Sequence, residues 1–143
     1  MKTESARAIV CKNNSVLLLF EKESNHEHYV LPGGKREENE TLEETVIREV
    51  LEETSIVVTS PKLIETVTYT AGNTERVQHI FECTYVSGEP VLGESPEKEK
   101  MKTDPNFFAK PVWIPILETN GLEITPKATI DVFTRTILGL FKK

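Results

Sequence analysis

A chain of 143 residues, 38% hydrophobic and 28% charged, is long enough to bury its own core and reads as one domain over residues 1–143. Its net charge of −6 excludes a broad nucleic-acid-binding surface, although a bound cation can reverse the local sign where phosphates dock. No apolar run approaches the length of a membrane span, and Met1 to Ser5 lacks a signal-peptide core. The expectation is therefore a cytoplasmic protein without a membrane partner, its Cys11 and Cys83 present as reduced, buried thiols.

Ala6 to Cys11 and Val16 to Phe20 read as strands joined by a tight turn at Lys12-Asn13-Asn14-Ser15. Glu21 to His28 is polar and reads as a loop. Tyr29 to Leu31 is a short apolar strand, which Pro32 stops and Gly33-Gly34 opens. A helix follows, with Thr41 as N-cap and Glu44 three positions on in a capping-box pattern. Leu42, Val46 and Val50, flanked by Ile47 and Leu51, give it an apolar stripe that suits a sheet. After Ile56 to Val58 and a turn at Ser60-Pro61, Leu63 to Thr70 and Arg76 to Val86 read as antiparallel strands around residues 71–74.

Ser87 to Lys110 reads as a long loop, its Glu-Lys stretch at 94–102 solvated or forming a short helical turn. Pro111 to Ile116 is a strand that contains the only tryptophan, Trp113. Thr125 caps a last helix with Pro126 at its first position and Ile130, Phe133, Ile137 and Leu140 on its buried face. This order predicts an α/β domain with a mixed sheet between helices.

Chemistry concentrates on the first helix. Glu49, Glu52 and Glu53 are three and four residues apart, so a helix brings them to one face, where their charges repel. Hard carboxylate oxygens so crowded suit a divalent cation, Mg²⁺ or Mn²⁺. His26, His28 and His79 form no evident metal-binding pair, and Tyr29, Tyr69, Phe107, Phe108 and Trp113 read mainly as core, although each could stack on a base.

These residues resemble the Nudix box of the Nudix hydrolase superfamily: Gly34, five residues, Glu40, seven residues, Arg48-Glu49-Val50, then Glu52-Glu53 and Ile56. The box spans 34–56, and Leu31-Pro32-Gly33-Gly34-Lys35 is similar to the family's usual approach to it. Its charged and glycine positions would coincide by chance roughly once in 10⁶ frames. Two positions depart from the pattern. Ser55 stands where the family has glycine, at an expected cost on the order of 1 kcal/mol. Asn39 replaces a frequent glycine and is the best tolerated substitute at positive φ.

The resemblance implies the Nudix fold, an α/β/α sandwich, and a Mg²⁺-dependent pyrophosphohydrolase that cleaves a nucleoside diphosphate linked to another moiety. The substrate would be a nucleotide or nucleotide derivative, a non-standard (damaged) nucleoside triphosphate among the options. It implies Glu49, Glu52 and Glu53 as metal ligands with the Gly33 carbonyl, and Glu49 or Glu53 orienting or deprotonating the attacking water. Arg48 would brace Glu40 beside them, and Gly34 and Lys35 would meet substrate. A further acid from the long loop completes such sites; Glu94, Glu97 and Glu99 are candidates, and Glu97 is favoured. A catalytically silent Nudix-fold sensor and an RNA 5′-end pyrophosphohydrolase are the alternatives, and the reading leaves room for a homodimer.

Overall fold

The computed structural model describes the backbone of residues 1–142 and the side chains of residues 1–139. In chain order the elements are β1 (Lys2–Lys12), β2 (Ser15–Glu23), β3 (His26–Val30), β4 (Gly33–Lys35), α1 (Leu42–Thr54), β5 (Val57–Ala71), β6 (Thr74–Ser87), α2 (Pro96–Thr103), β7 (Phe107–Pro115) and α3 (Ile130–Lys142). Asn13 and Asn14 sit at φ 50° and 61°, so the first turn twists with its strands as a two-residue hairpin requires.

Strand alternation divides the core into two faces. Ala8 and Val10 of β1, Leu17 of β2, and Phe81 and Cys83 of β6 meet Val46 and Val50 of α1. Their neighbours Ile9, Val16, Leu18 and Ile80 point the other way, onto Val132, Phe133 and Ile137 of α3. The mixed sheet therefore lies between helices, an α/β/α arrangement. It is parallel where β1 meets β6 and antiparallel in its other pairings.

The sheet also forks. One edge of β1 carries β6 along nearly its whole length, while the other is shared by β2 at Cys11 and Lys12 and β4 at Ser5 to Arg7. β2 leaves β1 early and pairs with β3 from Leu19 onward, with β7 along its opposite edge. Between the diverging strands the chain crosses at Leu31-Pro32, where Ala8 N–H donates to the Pro32 carbonyl at 2.8 Å. Glu49, Glu53 and Glu97 line the opening left by this fork.

Four expectations need correction. Residues 21–28 are not a loop: β2 runs to Glu23 and β3 resumes at His26, because backbone pairing tolerates polar side chains on a solvated face. Ser60-Pro61 is not a turn between strands; β5 is continuous, and Ser60 at φ 52° marks a bulge between the pairs Thr59↔Thr84 and Lys62↔Glu82. The stretch 87–110 is not loop throughout: the helical turn allowed for at 94–102 is α2, capped by the Ser95 hydroxyl accepting from Lys98 N–H at 3.3 Å, and β7 begins already at Phe107. Thr125 does not cap the last helix. Its N–H donates to the Tyr29 carbonyl at 2.9 Å, which ties 124–125 to β3 and delays α3 until Ile130.

That delay turns Ile130 outward, 38% exposed, and puts Val132 in the core. Phe133 and Ile137 are buried as expected, while the side chain of Leu140 lies outside the described residues. Among the described residues no helix is long and apolar enough to cross a membrane. Cys11 and Cys83 are free thiols, pushed up by burial to about 11 and about 12, and so unreactive.

Candidate active site

Helix α1 begins with a complete capping box. The Thr41 hydroxyl accepts from Glu44 N–H at 3.1 Å, and the Glu44 carboxylate accepts from Thr41 N–H at 2.8 Å. It ends at Ser55 in the left-handed conformation, φ 66°, where glycine is the easy choice. Serine offsets that strain by donating its hydroxyl to the Val91 carbonyl at 2.7 Å, a bond glycine cannot make. Asn39 is likewise at positive φ, 67°, and its Glu40 neighbour is thereby turned back toward the helix.

Arg48 organises the rim. Its Nε and Nη2 grip the two Glu40 oxygens at 2.6 and 3.0 Å, and Nη1 donates to Glu49 at 2.7 Å and Glu52 at 3.1 Å. Nη2 also reaches the Lys35 carbonyl at 3.2 Å, which pins the glycine loop to the helix. The fork geometry of a guanidinium fits this bidentate role. Beside it the Glu40 carboxyl falls from its ordinary 4.5 to about 2, helped by hydrogen bonds from Glu37 N–H and the Thr45 hydroxyl. Much of the repulsion expected among the helix acids is thus absorbed by Arg48, with no cation required.

The inner end of α1 is different. Glu53 is 4% exposed and accepts from Gly33 N–H at 3.1 Å. Burial raises its pKa well above the carboxylate range, and the Glu97 carboxyl lying against it raises it further; Arg7 and the Gly33 N–H oppose this only in part. Glu49 is half-buried and is also raised by burial, with Arg48 pulling it back. Gly33 has no alternative here: its φ is 148°, and a Cβ would strike the Ala6 carbonyl on β1. A Cβ on Gly34 would strike the Glu49 carboxylate instead.

Gly33, Gly34, Lys35, Glu49, Glu53 and Glu97 all line one cavity of about 480 Å³ at the fork of the sheet. Glu40, Arg48 and Glu52 do not reach it, and Glu52 is turned outward with its side chain 46% exposed. The expected gathering of Glu49, Glu52 and Glu53 around one point is therefore not seen. Among the described residues no three acidic, histidine or cysteine side chains converge closely enough to enclose an ion, since Arg48 draws Glu49 and Glu52 toward itself. The donor chemistry still fits a divalent cation: the half-buried Glu97 carboxyl adds to the raised pKa of the buried Glu53, a clash that a cation would relieve, and Glu49 lines the same cavity.

The opposite wall was not legible in advance. Arg7 donates from Nη1 to the Leu31 and Gly33 carbonyls at 3.1 and 3.2 Å, and its charge reaches Glu53, Glu49 and Glu21. His28, read as one of three unremarkable histidines, pairs through Nε2 with Glu21 at 3.0 Å inside the cavity. Gln78 and Tyr69 complete the wall, while Trp113 packs under α1 and Phe107 under α2. Neither Arg7 nor Gln78 stood out in sequence, because each shares its strand face with other polar residues, Ser5 on β1 and Arg76 and Glu82 on β6.

Sheet, helices and acid-lined cavity together define the class. Residues 1–129 match the family model of the NUDIX domain, and the chain belongs to that family. It is 37% identical over 71 residues to an 8-oxo-dGTP diphosphatase of Proteus vulgaris, a match covering 48% of this chain and 63% of that protein. The chain thus spans just under two thirds of that curated relative's length. Among solved structures it is similar to a MutT protein from Methanosarcina mazei, with a TM-score of 0.72 and 26% identity over 99% of this chain and 96% of that one. A mutator MutT protein from Bacillus halodurans gives a TM-score of 0.70 and 28% identity, covering 94% and 82%.

Proposed function

We propose that residues 1–143 act as one NUDIX domain with divalent-cation-dependent pyrophosphohydrolase activity, cleaving a phosphoanhydride bond in a nucleoside diphosphate linked to another group. The observation that carries this reading is the buried Glu53 carboxyl, held under the Gly33 N–H and against Glu97 at the floor of an acid-lined cavity. The similarity to the 8-oxo-dGTP diphosphatase of Proteus vulgaris supports a damaged nucleoside triphosphate as one substrate. Free thiols at Cys11 and Cys83 fit a reducing cytosol.

Glu53, Glu49 and Glu97 would hold the cation, Mg²⁺ or Mn²⁺, with the Gly33 carbonyl beside them. When bound, it neutralises phosphate charge and makes a coordinated water more acidic. The protein's own groups do the rest. Glu49, tied to Arg48 through one oxygen and made more basic by burial, is suited to accept a proton from water. Arg7 stiffens the glycine loop through two carbonyls and brings positive charge to the cavity. Lys35 at the mouth attracts the polyphosphate, and the missing side chain of Gly34 leaves room for it beside Glu49. Glu40 and Arg48 hold this scaffold from the rim without touching substrate.

The test is a panel of nucleoside triphosphates, nucleotide sugars, ADP-ribose and dinucleoside polyphosphates, assayed with Mg²⁺ and with Mn²⁺. The expected result is phosphate or pyrophosphate release that EDTA abolishes. Turnover no faster than that of a Glu53→Gln variant across the whole panel would replace the hydrolase with a silent nucleotide sensor. Release of pyrophosphate only from 5′-triphosphorylated RNA would favour the RNA-end alternative.

A further inference from the structure

Among the described residues, the buried side-chain nitrogens and oxygens without a hydrogen-bond partner are Arg7 Nε, His28 Nδ1 and Gln78 Oε1, and all three belong to the wall of this one cavity. Leaving such atoms unpaired costs free energy, so their concentration in a single place points to a ligand that supplies the partners. Two of them carry a side chain that already has a strong role: Arg7 holds backbone carbonyls and His28 holds Glu21. Gln78 is otherwise idle.

Its setting narrows what it meets. Gln78 is 5% exposed, lies on β6, and is paired across the sheet with Val67 of β5. Tyr69, two residues along β5, therefore falls diagonally beside it, and its hydroxyl accepts from Gln78 Nε2 at 3.4 Å. With the amide in this orientation Oε1, an acceptor, is the end without a partner. A neutral acceptor repels phosphate, whereas an amide edge next to a phenol ring suits a planar group that stacks and donates N–H.

We propose that Gln78, oriented by Tyr69, is a specificity-determining residue that accepts a hydrogen bond from an N–H group on the edge of the substrate's nucleobase. The assignment rests on the reading of this cavity as a nucleotide site, and adds which part of the nucleotide the β5–β6 wall selects. A base that presents an amino group there satisfies Oε1. A base with a carbonyl or a bare carbon at that place leaves the oxygen unpaired, and discrimination of this kind is stronger than any that apolar contact supplies.

Equilibrium binding of nucleoside monophosphates to the full chain with Mg²⁺ tests this without turnover. The probes are matched pairs that differ by one amino group: GMP and IMP, AMP and purine riboside monophosphate, CMP and UMP. Wild-type protein is expected to bind the amino-bearing member of at least one pair roughly tenfold more tightly. In Gln78→Leu, and in the longer Gln78→Met should the first fold poorly, that ratio falls below about threefold. A preference that survives in both variants, the absence of any wild-type preference, or no monophosphate binding at all overturns the assignment. Selective binding that vanishes with Gln78 while no nucleotide is hydrolysed would leave it standing and remove the hydrolase reading instead.

Discussion

The acids at the rim of α1 and those at its buried end carry the same charge and obey opposite rules. At the rim, Glu40 and Glu52 surround Arg48 at 2.6 to 3.1 Å, partly in water, and the Glu40 pKa falls to about 2. At the buried end, burial and the neighbouring Glu97 outweigh Arg7, and the Glu53 pKa rises well above the ordinary value. The rim is complete with a cation that the chain supplies itself, so its energy goes into holding the glycine loop against the helix. At the buried end Arg7 and the Gly33 N–H offset burial only in part, which is the environment the proposed role of Glu53 calls for.

Glu53→Gln is the sharpest way to break this contrast. Turnover should fall by roughly 10²- to 10⁴-fold. The melting temperature in EDTA should hold or rise, because an amide still accepts from Gly33 N–H and needs no proton. A clear drop in melting temperature would mean that Glu53 is a structural acid like Glu40. Glu97→Gln should weaken Mg²⁺ binding, read by calorimetry, by roughly tenfold. It should leave the fold intact, since α2 buries none of its residues; unchanged Mg²⁺ affinity would reduce Glu97 to a neighbour of the site.

At the rim the effect should be on stability. Arg48→Met removes the bonds to Glu40, Glu49 and Glu52 and should cost about 2 to 3 kcal/mol in urea unfolding. The pH dependence follows from the sign of the Glu40 shift. Its folded pKa, about 2, lies below the ordinary 4.5, so its contribution is full above pH 4.5 and lost as pH falls toward 2. Wild-type protein should lose on the order of 2 kcal/mol from this carboxylate over that window, after solvent screening. Arg48→Met should lose distinctly less, and parallel acid limbs would show that the pair does not matter.

The smallest effect is expected at Ser55. Relief of the left-handed strain in Ser55→Gly is worth about 1 kcal/mol, and loss of the bond to Val91 costs about as much. The unfolding free energy should therefore move by less than about 0.5 kcal/mol, where strain alone predicts a full gain.

Much of the acidic wall was open to inspection before any coordinates. The Thr41–Glu44 capping box and the placement of Glu49 and Glu53 along one helix depend on contacts within a few turns of chain, and spacing in the sequence encodes those directly, whereas the Arg48–Glu40 pair was implied by the family resemblance. Glu97 came from a family likeness and Gln78 from nothing, since β6 alternates many polar residues and only the fold shows which of them is buried. Two of the errors share one cause. Polar runs such as Glu21 to His28 and turn-like pairs such as Ser60-Pro61 were judged by local preference, and cross-strand pairing overrode it.

Local order, then, was dictated by the amino acids themselves: the asparagine turn, the cap and phase of α1, and the pattern of apolar faces, all of which need only short-range sterics and burial. Which acids stay near water and which are driven into the dark was decided by tertiary structure alone. So was the meeting of Arg7, His28 and Gln78 with Glu53 across the fork of the sheet. Desolvation and long-range register set those outcomes, and neither is a property of a residue's neighbours in sequence.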